Sequence, residues 1–115
     1  MSHKSRNRMA AGRRAHAPVF AALGDETRLS LVAKLCGGRP CSISRLTEGS
    51  RLTRQAITKH LCVLERAGLV RRVRRGRESL FALDPEPFEE IKKYLEFVSE
   101  QWDQALARLK SFVEG

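Results

Sequence analysis

Apolar residues recur at intervals of three and four along most of the chain, and one short central block is β-prone, so helices with a single small hairpin are expected. Val19, Phe20 and Leu23 predict a short helix that starts near Pro18, a residue tolerated in a first turn, and breaks at Gly24. Asp25 is a good N-cap for a second helix, in which Leu29, Val32, Ala33 and Cys36 follow the i, i+3, i+4, i+7 pattern. Gly37-Gly38-Arg39-Pro40 stops it. Ser42 then caps a short helix that buries Ile43 and Leu46 and ends near Gly49. Thr53 caps the next helix, over 53–67, with Leu52 and Ile57 placed as a hydrophobic staple and Ile57, Leu61 and Leu64 as its buried stripe. Gly68 fits the left-handed residue after its last turn, with Leu69 packing back. Two β-prone runs, 69–74 and 79–83, are joined through Gly76 as a hairpin.

Asp84-Pro85-Glu86-Pro87 closes the strand and opens a long last helix. Its Phe88, Ile91, Leu95, Val98, Trp102, Ala105, Leu109 and Phe112 are spaced 3, 4, 3, 4, 3, 4, 3, an uninterrupted heptad seam widened by Tyr94, Leu106 and Val113. One small domain covers only part of such a stripe. The expectation is a two-fold dimer, with Leu95, Val98, Trp102, Leu106 and Leu109 at the interface. The competing reading is that the whole stripe is domain core.

Charge changes this picture more than composition does. The 115 residues, 42% hydrophobic, suffice for one packed domain, and no apolar run approaches the roughly 20 residues that cross a bilayer. The net charge of +9 is unevenly spread: residues 1–17 carry +5 with no acid, residues 69–83 carry +4, and residues 84–115 carry −4. A basic face of this kind points first to nucleic acid and only second to a membrane surface. Residues 1–16, with little to bury, read as a flexible basic arm, either a solvated tail or one that touches DNA, ahead of a single domain over 17–115. Cys36, Cys41 and Cys62 are odd in number and lack paired metal spacing, which favours a reducing, cytoplasmic setting. They read as small hydrophobes, with a Cys36–Cys41 redox pair as the alternative.

The short helix, tight turn and capped helix make a helix-turn-helix. If its stripe faces inward, Arg54, Gln55, Thr58 and Lys59 are left to face DNA, and these types suit base edges. Thr53 and His60 are also expected at the DNA, with a structural hydrogen bond as the other reading of His60. Arg72, Arg74, Arg75 and Arg77 surround the hairpin turn, where they can grip phosphates or enter a narrow minor groove. No phosphate loop, nucleophile–base arrangement or paired-carboxylate cleft supports an enzyme. A nucleoid-type protein that binds DNA by charge alone, or a winged-helix protein–protein adaptor, are the alternatives to a sequence-specific regulator.

Residues 20–29 (Phe-Ala-Ala-Leu-Gly-Asp-Glu-Thr-Arg-Leu), residues 52–61 (Leu-Thr-Arg-Gln-Ala-Ile-Thr-Lys-His-Leu), residues 63–70 (Val-Leu-Glu-Arg-Ala-Gly-Leu-Val), Arg75-Gly76-Arg77 and Phe81-Ala82-Leu83 resemble the ArsR-type winged-helix repressors, in that order along the chain. The resemblance implies a mainly α fold with a small β-hairpin, a winged helix-turn-helix dimeric through its first and last helices, which adds Val19 and Phe20 to the expected interface. It also implies a homodimeric repressor that binds an inverted repeat in double-stranded DNA. Many members of that family sense metals. Ser42 and Ser44 stand where one common site has Cys-x-Cys, and residues 86–113 lack the His of another, so no metal site and no cofactor are expected here.

Overall fold

A computed structural model describes residues 3–115, the side chains of His3 and Ser5 excepted. Met1, Ser2 and the His3 imidazole, expected in the basic arm, lie outside the described residues. The elements run α1 (His3–Leu23), α2 (Glu26–Leu35), β1 (Cys41–Ser42), α3 (Ile43–Thr47), α4 (Arg54–Arg66), β2 (Val70–Arg75), β3 (Glu78–Leu83) and α5 (Pro85–Glu114).

The first correction concerns α1. The helix expected from Pro18 onward instead begins at His3, so the boundary drawn between residues 16 and 17 falls inside it. Pro18 withholds one backbone donor and crowds the preceding turn, at a cost that isolated propensity would not offset. Packing on α5 supplies what propensity lacks. The His16 and Tyr94 ring centroids lie 4.9 Å apart, those of Phe20 and Tyr94 6.1 Å, and the Arg8 guanidinium sits 6.0 Å from the Phe97 centroid. Gly12 permits this approach, because a Cβ there would come within 2.7 Å of Tyr94 Cε1. Gly12, His16 and Phe20 all gather at Tyr94, so α1 packs on α5 chiefly around that ring.

Asp25 caps α2 as expected, accepting from the Arg28 N–H at 3.0 Å. The buried face differs from the expected one: Leu31, Val32 and Leu35 point inward, whereas Leu29, Ala33 and Cys36 are exposed. Both registers are helical. The one carrying two leucines removes more apolar area from water than one ending in Ala and Cys, and it prevails.

Ser42 accepts from the Arg45 N–H at 3.1 Å and so starts α3, which buries Leu46. Thr53 starts α4 by accepting from the Ala56 N–H at 3.1 Å, and Ile57, Leu61 and Leu64 are buried. At its other end the Leu69 N–H reaches the Leu64 carbonyl and the Gly68 N–H reaches that of Glu65, the paired bonds of a Schellman motif. That motif needs a left-handed residue, and Gly68 supplies it at φ +79°. We expect Thr53→Ala to cost about 1 kcal/mol, by loss of this cap, and to lower the melting temperature by roughly 4–8 °C in calorimetry.

The sheet has the order β1-β3-β2, antiparallel throughout. Arg75 pairs with Glu78 across a two-residue turn, with Gly76 at φ +63° and no positive φ at Arg77, as in a type II′ turn. Two residues were not foreseen as a strand: Cys41 pairs with Phe81 and Ser42 with Leu80. The core gathers Leu31, Leu35, Leu46, Ile57, Leu61, Leu64, Leu69 and Phe81, all close to fully buried, with Cys41 among them.

Asp84 and Pro85 open α5 as expected. Its seam then divides in two. Ile91 and Val98 are buried and Phe88 half-buried, whereas Leu95, Trp102, Leu106, Leu109, Phe112 and Val113 are exposed, Phe112 to 84%. Of the residues expected at a dimer interface, Val19 packs on the core, Phe20 lies beside Tyr94 and Val98 is buried within the subunit. The radius of gyration is 18.5 Å, against about 13 Å for a compact chain of this length.

Candidate nucleic-acid interface

The buried stripe of α4 decides which side chains remain outside. Arg54, Gln55 and Lys59 are exposed and Thr58 is half-buried, all on the flank away from Ile57, Leu61 and Leu64. Together with Ile43 of α3 they line a shallow cleft of about 390 Å³. The Thr58 hydroxyl donates to the Arg54 carbonyl at 2.7 Å, which leaves its lone pairs to accept from a ligand. Thr53, also exposed, uses its hydroxyl as the helix cap.

A second cleft, about 260 Å³, adjoins the first and is lined by Ser42, Ile43, Ser44, Arg54, Arg77, Glu78 and Ser79. Arg54 and Ile43 belong to both, so the start of α4, the start of α3 and the tip of the hairpin form one continuous face. Arg54, Lys59, Arg74, Arg75 and Arg77 are exposed, and among the described residues none of their side chains enters an ion pair or hydrogen bond. Five unpaired cations beside a single carboxylate, Glu78, make a strong local positive potential, suited to a polyanion.

Two expected DNA-facing residues are otherwise engaged. His60 lies on the opposite flank of the buried stripe, and Nδ1 sits 3.3 Å from Arg28 Nη1 and 3.8 Å from Asp25 Oδ2. Arg72 pairs through Nε with Glu65 at 3.1 Å, and its guanidinium sits 5.2 Å from the centroid of Phe81, which it covers. Neither partner was legible from spacing, since Arg28 is 32 residues from His60.

The Asp25 carboxyl titrates below its ordinary value of 3.8, chiefly because it accepts from the Arg28 backbone N–H; partial desolvation opposes this, and the charges of Arg28 and His60 add to it. A depressed carboxylate contributes stability that is whole above its unfolded pKa and is lost as pH falls through the lower folded value. Asp25→Asn, which keeps a capping oxygen, should therefore flatten the fall in stability below about pH 4 in acid titrations followed by circular dichroism.

Residues 23–73 match a family model described as a helix-turn-helix domain. The chain is 37% identical over 81 residues to an uncharacterised HTH-type transcriptional regulator of Bacillus subtilis, YuzN, covering 65% of this chain and 88% of that protein. It is also similar to a solved ArsR-like transcriptional regulator from Rhodococcus, at 37% identity and TM-score 0.71, covering 86% of this chain and 92% of the other.

The chain belongs to the ArsR-like helix-turn-helix transcriptional regulators.

A second ArsR-family regulator of known structure superposes with a TM-score of 0.69 at 29% identity, covering 78% of this chain and 92% of that one. In ArsR-like terms α3 and α4 are the helix-turn-helix, and β2 and β3 form the wing. These relatives are transcriptional regulators rather than enzymes. Ser42, which stands where one metal-sensing site of the family has a thiol, spends its hydroxyl on the α3 cap. Among the described residues no helix is long and apolar enough to cross a membrane.

Proposed function

We propose that this ArsR-like regulator is a homodimeric repressor that binds an inverted-repeat operator, with α4 in the major groove and the wing on the adjacent backbone or minor groove. The observation that carries the reading is the continuous face through Arg54, which joins the Gln55–Thr58–Lys59 cleft to the wing tip at Arg77. On this face Arg54, Gln55, Thr58 and Lys59 read base edges, while Thr53, Arg74, Arg75 and Arg77 hold phosphates. Arg72, tied to Glu65, is a secondary contact. Dimerisation uses the open half of α5, so that two copies of α4 face successive turns of one side of the duplex. Occupying a promoter is then enough to repress it. The protein acts in the compartment that holds the DNA, the cytoplasm.

The test is enrichment of bound duplexes from a random pool at near-physiological salt, where binding by phosphate contacts alone is weak. An inverted repeat is expected. Gln55→Ala should then relax preference at one position of each half-site by about 1–3 kcal/mol of discrimination. Retained binding without any enriched sequence would favour a nucleoid-type role, and no binding at all would favour an adaptor.

A further inference from the structure

A dimer reads two half-sites in register only if each α4 is held at a fixed pose relative to the helices that join the subunits. One base pair of extra spacing displaces a half-site by about 3.4 Å and turns it by roughly 35° about the duplex. Apolar contact resists separation but has no direction. Between α1 and α4 it is also incomplete: Pro18, Ala21, Ala22, Val63, Arg66 and Ala67 line an open trench of about 380 Å³.

Beside this trench, one residue of α2 ties three helices together. Arg28 Nε donates to the Ala22 carbonyl at 2.5 Å and Nη2 donates to that of Ala21 at 3.5 Å, both in the last turn of α1. The end of a helix leaves such carbonyls without intrahelical donors, and a cation there is favoured. The Arg28 backbone N–H meanwhile binds the Asp25 cap of α2. Its remaining nitrogen, Nη1, faces His60 Nδ1 on α4 at 3.3 Å. A guanidinium can only donate, so a hydrogen bond here uses the Nδ1 lone pair, and the same Nδ1 lies 3.8 Å from Asp25 Oδ2. The rigid fork of Arg28 thus fixes direction where the small side chains do not.

We propose that Arg28 and His60 are positioning residues that set the pose of α4 against α1, and thereby the half-site spacing that the dimer accepts. The inference rests on the dimeric operator-binding reading above. Neither side chain reaches DNA; His60 acts from the flank of α4 that faces away from the duplex.

The experiment measures affinity for duplexes carrying the enriched half-sites at their selected spacing, at one and two added base pairs, and as a single half-site. Wild type should lose at least about tenfold per added base pair. His60→Leu removes the acceptor and should lose threefold or less, with single-half-site affinity unchanged. His60→Asn restores a neutral acceptor and should recover the wild-type profile; Arg28→Lys keeps the charge, loses the fork and should resemble His60→Leu. Melting curves establish that each variant is folded. An unaltered spacing profile in both His60→Leu and Arg28→Lys would overturn the proposal, as would an equal loss on all four duplexes. A wild-type protein indifferent to spacing would overturn the dimeric reading and this role with it.

Discussion

Leu109→Glu is expected to sediment as a folded monomer and to lose operator affinity by a hundredfold or more. Leu109 is exposed within the subunit, as are Trp102, Leu106, Phe112 and Val113 around it, so the substitution removes nothing from the core built on Phe81 and Leu61. What it changes is the proposed junction between copies. Fully burying each such side chain is worth about 1.5–3 kcal/mol, and five of them on each subunit suffice to drive association. A carboxylate placed among them without a partner opposes that gain by several kcal/mol. Splitting the dimer then removes the avidity that links two half-sites, commonly a factor of about 10²–10⁴. Trp102 is the only tryptophan, so its emission should move to the blue as wild-type protein is concentrated and stay red in Leu109→Glu. A dimer that survives the substitution would place the interface elsewhere.

The second large effect lies at the wing. Replacing Arg74, Arg75 and Arg77 together by alanine should weaken binding to operator and random DNA alike, by roughly 10²–10³ at 0.1 M salt. The magnitude follows from counterion release: each lost phosphate contact reduces the slope of log affinity against log salt by about 0.9, which is nearly tenfold at that concentration. Stability should change little, since these side chains have no ion pair or hydrogen bond among the described residues. Arg72 is deliberately spared because it covers Phe81 and pairs with Glu65, so its loss would mix folding with binding. Filter binding across a salt series reads both the affinity and the slope. Unchanged values in the triple variant would remove the wing from the interface.

What could be read from the chain alone follows from the range of the interactions involved. The stretch from Thr53 to Leu69 is set by bonds spanning three to five residues, and its cap, stripe and Schellman end were all legible. The α5 seam was legible for the same reason, because its period lies within the helix. Wherever a partner distant in sequence decides the outcome, the local signal was silent or misleading. Residues 3–16 are poor in apolar side chains, yet they are helical because Tyr94 and Phe97 receive them, and nothing near Gly12 announces that. Spacing alone places the α2 face in the wrong register, on Leu29, Val32, Ala33 and Cys36, because it fits a helix either way and only the core selects Leu31 and Leu35. A two-residue β1 has no periodicity to detect. The face made by Arg54, Gln55, Thr58 and Lys59 was evident from helix geometry, whereas His60 and Arg72 were claimed by Arg28 and Glu65, partners that only the fold supplies.

Ser42 has a consequence for how such a regulator can change its target. It is the last residue of β1, paired with Leu80 beside the wing, and also the residue whose hydroxyl begins α3. Wing and helix-turn-helix therefore share a joint that is one residue long. A wing transplanted from a relative would bring a new partner for Ser42 and disturb the start of α3, so the two elements change together or not at all. On the proposed reading, new operator preferences are more accessible through the tips, at Gln55 or Arg77, than through exchange of whole modules.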